Sequence, residues 1–421
     1  MIKNIKDKIK NDELIKGSLI LFIMINIYNF LNYIFHFSMA RLLGPAEYGV
    51  LAVLFSFIYI FSIPSESIQN FIADYTSKHK LKEECWKIKS ILIKSIKKGF
   101  WFSFILYLIF LLLAYFISDF IKIDFMLLAF TGLLIFLSML VPIVRGALQG
   151  QKRFLNLGWN MIIESLIKVV LSIDLVLLSW KVFGAIFAVI LGLLIAFILG
   201  ILSLSKIMKE KKENLKSDGI YQSFFPYFFI MLSVTLIYSL DTIFARRFFS
   251  EELSGIYAVA SMLGKMIFFG TFAIGKAMLP LTLEKHSNGE KTGFLLKKSL
   301  KIIVLISAIA LLLYWFLPEF IISLLFGKKY ILASGIIFWI GLGLTFLSLS
   351  NIILLYLVSL KQIKRPYLFL FFVFLEIIFF YLFHSSLIEF SISFLVANLI
   401  LLGSLILILK RKIINPLVIK T

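Results

Sequence analysis

The sequence predicts an all-α polytopic membrane protein, and two observations carry that prediction. Of the 421 residues, 61% are hydrophobic, and the mean hydropathy is +1.00. Soluble globular domains are only about half apolar. Uncharged apolar runs as long as the roughly 20 residues of a spanning helix also recur along the whole chain, for example at 99–118, 182–205 and 390–409.

Twelve spans can be placed in order along the chain. In the first half we predict spans at 18–40, 48–73, 99–118, 125–149, 156–180 and 182–205. In the second half we predict spans at 221–245, 253–275, 300–317, 331–358, 366–383 and 389–409.

The basic residues predict the orientation of these spans. Most lysines and arginines fall in segments on one side, notably 78–98 and 206–216. Because basic loops stay inside, both termini are expected in the cytoplasm of a cell-membrane protein. The formal net charge of +20 is then explained by topology, and we expect no nucleic-acid partner. The opposite side holds only Arg41, Lys122, Lys181, Arg246, Arg247, Lys328 and Lys329.

Two blocks of sequence recur and predict a duplicated architecture. "GVLAV" at 49–53 precedes "GIYAV" at 255–259 by 206 residues, and the same offset matches Arg41 with Arg247. At an offset of 212, Lys152, Arg153 and Glu164 match Lys364, Arg365 and Glu376. We therefore predict two homologous six-helix bundles, residues 1–205 and 221–421, joined by a basic cytoplasmic linker at 206–220.

Motifs for catalysis, metals and nucleotides are absent from the sequence. There is no GxxxxGK[ST], no HExxH and no cysteine–histidine cluster, and Cys85 is the single cysteine. We therefore expect no catalytic residues, no metal site, no cofactor and no nucleotide-driven pump. Transport is the leading class of function.

Ionisable side chains inside predicted spans are costly, so they usually face a cavity or a partner. In the first half, Glu66 follows Pro64, and polar residues that include Asn29 share a face of the first span, with Asn32 at its edge. Both sets fit either helix packing or a water-lined cavity. The remaining candidates are His36, Glu164, Lys168, Asp174, Asp241, Lys265 and Glu376.

Spacing gives different expectations for these charges. Glu164 and Lys168 are four residues apart on one helix face, so they either neutralise each other or have a functional role. Glu376 has no lysine four residues on, which predicts a cavity-exposed or a protonated carboxyl. Lys265 has no acidic neighbour at helical spacing, so its partner comes from another helix or from a ligand.

Three stretches resemble the polysaccharide-biosynthesis flippases, which export repeat units of O-antigen and capsule. "MARLLGPAEYGVLAVLFSFIYIFSIP" at 39–64 is similar to their opening, and "RGALQGQKRFLNLGWNMIIES" at 145–165 to their loop between helices four and five. These flippases belong to the multidrug/oligosaccharidyl-lipid/polysaccharide exporter superfamily. A helix-seven-to-eight signature is similar at Asp241, Glu251, Glu252, Gly255, Tyr257 and Ala260.

The resemblance implies a V-shaped pair of bundles around a central cavity that opens alternately to each side. The cargo it implies is a polyprenyl-linked oligosaccharide, driven by an H⁺ or Na⁺ gradient or by removal of product outside. Membrane lipids and other glycan-assembly proteins are the expected partners. An ion-coupled exporter of small amphipathic molecules is the alternative. A glycosyltransferase or polymerase is disfavoured, because it needs a sizeable external loop.

The implied cargo also suggests roles for the buried charges. A pyrophosphate entering a cavity needs cations, and Lys265, then Lys168, Arg41 and Arg247, are the candidates, with the amides Asn29 and Asn32. Glu66, Asp241, Glu164 and Glu376 are candidates for ion coupling or gating. Glu66 and Asp241 are interpreted as carboxylates without a compensating positive charge. A second interpretation pairs Asp241 with Lys265, either as a gate or as a permanent salt bridge.

Overall fold

The structure is a computed structural model that describes residues 13–80, 84–209, 225–360 and 366–414. Every regular element in these ranges is a helix, so the predicted all-α fold is confirmed. Most of the predicted linker 206–220 lies outside the described residues, as do Lys364 and Arg365 of the predicted repeat.

The predicted spans coincide with apolar helices. Within the described residues, nine helical stretches are long and apolar enough to cross a membrane. Two of these, Ile20–Lys80 and Phe154–Ser203, each contain two predicted spans. The shorter apolar helix Pro366–Leu382 corresponds to the eleventh span. All twelve predicted spans are thus accounted for, and the protein is a multi-pass membrane protein.

The helices of the first part of the chain have local sequence causes for their ends. Asp124 caps the helix Phe125–Gly132, because its carboxylate accepts hydrogen bonds from the backbone N–H groups of Met126 and Leu127 at 2.6 and 3.2 Å. A kink inside α1 falls at Gly44. The helices are α1 Glu13–Phe61, α2 Ile63–Lys80, α3 Cys85–Ile121, α4 Phe125–Gly132, α5 Leu134–Gly150, α6 Phe154–Leu175, α7 Lys181–Ser203 and α8 Ser205–Met208.

The second part of the chain begins with a pair of helices that meet at a capped turn. The Ser250 hydroxyl accepts the N–H of Leu253 at 3.4 Å, and two glutamates in the first turn of α10 complement the helix dipole. Two 3₁₀ turns, Lys328–Gly335 and Pro366–Phe369, interrupt the helices. The helices are α9 Phe225–Phe248, α10 Glu251–Ser287, α11 Gly293–Phe316, α12 Pro318–Leu325, α13 Ile337–Ser359, α14 Leu370–Leu382 and α15 Leu387–Ile414.

The chain forms two compact units. The first contains residues up to Leu43 and those from Phe57 to Gly219, with α2 packed on α5 and α6 packed on α7. The second contains Gly44–Ser56 and the chain from Ile220 onward, with α13 packed on both α10 and α15. The bundle boundaries given by the sequence, 1–205 and 221–421, stay a prediction.

The stretch Gly44–Ser56 groups with the second unit because α1 bends before it. Gly44 has a φ of 75°, which favours glycine, and Pro45 follows it. The bend brings the Pro45 backbone against Gly255 of α10, so that a Cβ on Gly255 would lie 1.8 Å from the Pro45 carbonyl oxygen. Gly49, which the repeat equates with Gly255, packs against the Gly255 backbone nearby. Two repeat-related glycines thus permit a close helix crossing inside the second unit.

We predict that Gly255→Ala destabilises the protein, because the new methyl group has no space beside Pro45. Overpacking of this kind costs about 1–3 kcal/mol, which for a chain of 421 residues corresponds to a melting temperature lower by about 1–3 °C. Thermal unfolding followed by tryptophan fluorescence in detergent measures the effect.

Gly270→Ala is the matched control, since Gly270 lies on the same helix and a Cβ there meets nothing within 4 Å. Its melting temperature should stay at or slightly above that of the wild type. Equal melting temperatures for the two variants would contradict the close crossing.

Candidate functional site

A buried ion pair joins α9 to α10 in the second unit. The Lys265 ammonium lies 3.2 Å from Asp241 Oδ1, and the two side chains are 6% and 0% exposed. Lys265 also donates to the hydroxyl of Thr242 at 3.0 Å, which itself donates to Asp241 Oδ1 at 3.0 Å. The other carboxylate oxygen, Oδ2, accepts from Ser261 at 2.5 Å. The sequence prediction that Lys265 pairs with another helix, and specifically with Asp241, agrees with this geometry.

Helical spacing brings the partners of Asp241 together on α10. Tyr257, Ser261 and Lys265 follow one another at intervals of four residues, so they share one face. The Tyr257 hydroxyl donates to Asp241 Oδ2 at 3.5 Å. Asp241 is therefore surrounded by donors. One interpretation of the sequence described it as an uncompensated carboxylate, and the structure differs from that interpretation.

Glu376 on α14 is a second buried carboxyl in the same neighbourhood. It is 1% exposed, and neither of its oxygens has a hydrogen-bond partner among the described residues. Its electrostatic neighbours are Asp241 and Lys265. Of the two predictions for Glu376, exposure to a cavity is wrong. We call Asp241, Thr242, Ser261, Lys265 and Glu376 the second-unit charge cluster.

The first unit holds a different buried cluster. Arg145 of α5 forms an ion pair with Glu164 of α6, and its Nε donates to Asn160 Oδ1 at 2.9 Å. Asn160 in turn donates to the carbonyl of Ala196 on α7 at 2.6 Å. The Tyr28 hydroxyl of α1 donates to the other Glu164 oxygen at 3.4 Å. These contacts tie four helices together around one carboxylate.

Lys168 contacts neutral groups in this cluster. Its ammonium donates to the side-chain oxygen of Asn32 and lies 4.8 Å from the centre of the Phe35 ring. Glu164 makes its direct ion pair with Arg145, which reaches it from another helix, while Glu164 still attracts Lys168 electrostatically without a salt bridge between the two. Mutual neutralisation of Glu164 and Lys168 therefore stays a prediction. We call Tyr28, Asn32, Arg145, Glu164 and Lys168 the first-unit charge cluster.

The two clusters differ in their ionisable groups. The first contains two cations and one carboxylate, whereas the second contains two carboxyl groups and one cation. The repeat explains the difference, because at the offset of 212 residues Glu164 corresponds to Glu376 while Arg145 corresponds to Leu357. At the same offset Lys168 corresponds to Phe380. Glu376 therefore lacks the arginine that its repeat partner has.

Other predicted residues lie outside these clusters. Asn29, Arg41 and Arg247 are exposed, and Glu66 is half-buried. The cluster residue that sequence reasoning missed is Arg145. A signal was available, since Arg145 falls within the predicted span 125–149 and a buried arginine there needs a counter-charge. Among the described residues, no group of three or more His, Cys, Asp or Glu side chains is placed to hold a metal.

Solved structures with the same fold differ widely in sequence from this chain. An inward-facing multidrug resistance MATE family transporter of the MOP superfamily matches with a TM-score of 0.74 at 12% identity, over 93% of this chain and 98% of that chain. Lipid II flippase MurJ, inward closed, matches with a TM-score of 0.64 at 19% identity, over 94% and 87%. A MOP superfamily transporter from Pyrococcus furiosus matches with a TM-score of 0.59 at 14% identity, over 96% of each chain.

These identities show the fold alone, and none of the curated proteins matches the chain by sequence. A comparison with sequence models of protein families does identify the family. The model of the polysaccharide biosynthesis protein family matches residues 14–286, which is more than half of the chain. The chain therefore belongs to the polysaccharide biosynthesis protein family, the group that its sequence resembles, and it has the fold of MOP superfamily transporters.

Proposed function

We propose that this protein is a flippase that moves a polyprenyl-linked oligosaccharide from the cytoplasmic to the outer leaflet of the cell membrane. The observation that carries the proposal is the family match, since the fold is shared with both drug transporters and a lipid II flippase. The protein acts without catalysing a reaction, by alternating access of its cargo site to the two sides. Both termini lie in the cytoplasm, as the distribution of basic residues predicts.

Export of small amphipathic molecules is the second candidate. The observation in its favour is the TM-score of 0.74 to a multidrug resistance transporter, against 0.64 for the lipid II flippase. The family description favours the glycan. A lipid-linked glycan also agrees with the excess positive charge of the first-unit charge cluster, because the cargo is anionic at its pyrophosphate.

Lys168 is the proposed cargo contact in the first unit. It is 5% exposed, and its two contacts in the described part of the chain, Asn32 and the Phe35 ring, are neutral. Glu164 acts on Lys168 electrostatically but makes no salt bridge to it, so the buried ammonium still gains from an incoming anion. The exposed residues Asn29 and Arg41 are further candidate cargo contacts in the first unit, and Arg247 is a candidate in the second unit. Other glycan-assembly proteins supply the cargo.

Lys265 and Asp241 are the proposed gate, with Glu66 and Glu164 as further candidates for coupling. The pair is complete without cargo, because each member meets the charge of the other and both have hydrogen bonds to Thr242. An anion that competes for the Lys265 ammonium weakens the pair and shifts the population of conformations.

Deletion of the gene tests the function. We expect the glycolipid to accumulate on the cytoplasmic face and the surface glycan to disappear, because assembly continues without translocation. Lectin labelling of intact cells and of inverted membrane vesicles measures the two pools. Restoration by the wild-type gene is the control. Unchanged surface glycan together with increased drug sensitivity would support the exporter instead.

Substitution of Lys168 tests the cargo contact. A charge-assisted hydrogen bond is worth about 1.5–3 kcal/mol, so Lys168→Ala should lower glycan export roughly tenfold to hundredfold. Lys168→Arg should retain more export than Lys168→Ala, because it keeps the charge. Export is measured at equal membrane abundance, with Lys297→Ala, which removes an exposed lysine of α11, as the control. Normal export by Lys168→Ala would exclude this contact.

Exchange of the ion pair tests the gate. Lys265→Ala leaves the buried Asp241 carboxylate without its partner and should destabilise the protein by about 3–5 kcal/mol. The double variant Asp241→Lys with Lys265→Asp should recover thermal stability, because the pair is restored in reverse. We expect it to remain inactive in export, since the ammonium has moved to α9. Full export by the exchanged protein would show that the pair is structural only.

A further inference from the structure

The oxygens of Glu376 point to a function that the ion pair does not explain. An ionised carboxylate buried without hydrogen bonds or a dedicated counter-ion is strongly disfavoured. Glu376 is 1% exposed, and both oxygens lack partners among the described residues. The neutral acid lowers this cost, so the burial of Glu376 favours a carboxyl group that carries a proton.

The charged and titratable groups around Glu376 come from the helices that surround it. Asp241 faces it from α9, and Lys265 with the Tyr257 phenol faces it from α10. Helix α15, packed on α14, presents the ring of Phe390, which stacks on Phe380 at 4.4 Å. Farther away, the described ends of α15 carry Glu389, which accepts the Ser385 N–H at 3.1 Å, and Lys410, and the 3₁₀ turn carries the exposed Tyr367.

The Lys265 ammonium already supplies the positive charge that a metal cation would bring to the carboxyl groups of Asp241 and Glu376. The ammonium contacts Asp241 Oδ1 and Thr242, while Asp241 Oδ2 is taken by Ser261. A sodium ion would have to displace a covalently attached cation that already satisfies the site. A proton needs no such displacement, because Glu376 has two free oxygens.

We propose that Glu376 is a proton-binding site and that the Lys265 ammonium fills the cation position beside it, so that H⁺ and not Na⁺ binds the second unit. While Glu376 is protonated, Lys265 pairs with Asp241 alone. When the site reaches water and the proton leaves, two carboxylates compete for one ammonium. That competition makes the ion pair two-state and gives the proton control over it.

The role of this proton in transport rests on the proposed function, whereas the proton site itself does not. The test therefore uses the purified full-length protein without cargo. Infrared difference spectra taken while the pH is raised from about 6 to about 10 follow the C=O stretch of a protonated carboxyl, which free glutamates lose near pH 4.3.

We expect the wild type to show one such band at neutral pH, Glu376→Gln to lose it, and Glu376→Asp to keep it at a shifted frequency. Glu164→Gln is the matched control, because Glu164 is the repeat partner of Glu376 and is ion-paired with Arg145. Its spectrum should keep the band. A wild type without the band, or a band that survives Glu376→Gln, would overturn the proposal.

Sodium provides the second measurement, which does not depend on the variants of Glu376. Replacing choline chloride with sodium chloride should leave the melting temperature and the carboxyl band of the wild type unchanged. In Lys265→Ala the vacated position should bind Na⁺ and raise the melting temperature by about 2 °C or more. The double variant Asp241→Asn with Lys265→Ala should lose that rise. Sodium stabilisation of the wild type would overturn the exclusion of Na⁺.

The two tests separate the two ideas. Loss of the band in Glu376→Gln, with no glycan phenotype in the deletion strain, would support the proton site and contradict the flippase function. A glycan phenotype without the carboxyl band would support the flippase function and contradict the proton site.

Discussion

The ion pair between Lys265 and Asp241 constrains how α9 and α10 pack in the second unit. Two ions stay buried among membrane helices only when each meets the other and their remaining hydrogen-bonding groups are satisfied. That condition fixes the rotation of α10, because Tyr257 and Ser261 must face the same carboxylate as Lys265. Because this face of α10 contacts Asp241, Gly255 lies on another side of the helix, where the Pro45 backbone packs.

Helix α10 is therefore enclosed on both sides. From Ser254 to Phe268 every residue except Met266 is buried. On one side the requirement is electrostatic, and on the other it is steric, since only glycine admits the approach of a second backbone. Both depend on the same register along the helix, so a shift of one residue would break the ion pair and the crossing together. This coupling explains why the polar cluster and Gly255 lie within so short a stretch of α10.

The sequence predicted what depends on composition and on spacing within one helix. The twelve spans follow from hydropathy, and the need of Lys265 for a partner on another helix follows from the absence of acids near it on α10. Spacing did not identify the direct ion-pair partner of Glu164, because Lys168 is four residues away on the same helix whether or not a closer partner approaches from another helix. Arg145 is such a partner, and its approach depends on how α5 packs on α6.

The bend at Gly44 shows the same limit in the backbone. Gly-Pro in a predicted connection between spans is unremarkable in sequence, and the match of "GVLAV" with "GIYAV" indicated only duplication. Contact between the two repeated glycines is a tertiary property, since it requires Gly44–Ser56 to pack with the second unit. Position along the chain does not reveal that grouping.

The fold alone leaves the cargo open, because transporters of drugs and of lipid II share it. What distinguishes this chain is the divergence of its two halves around one shared glutamate. In the first, Glu164 pairs with Arg145, and Lys168 adds a second cation whose direct contacts are Asn32 and the Phe35 ring. At the corresponding sequence positions the second half has Leu357 and Phe380, and the Glu376 oxygens have no hydrogen-bond partner among the described residues. Under the proposed function, Lys168 meets the anionic cargo in the first unit, while in the second unit the cargo and the proton act on the same pair of Lys265 and Asp241.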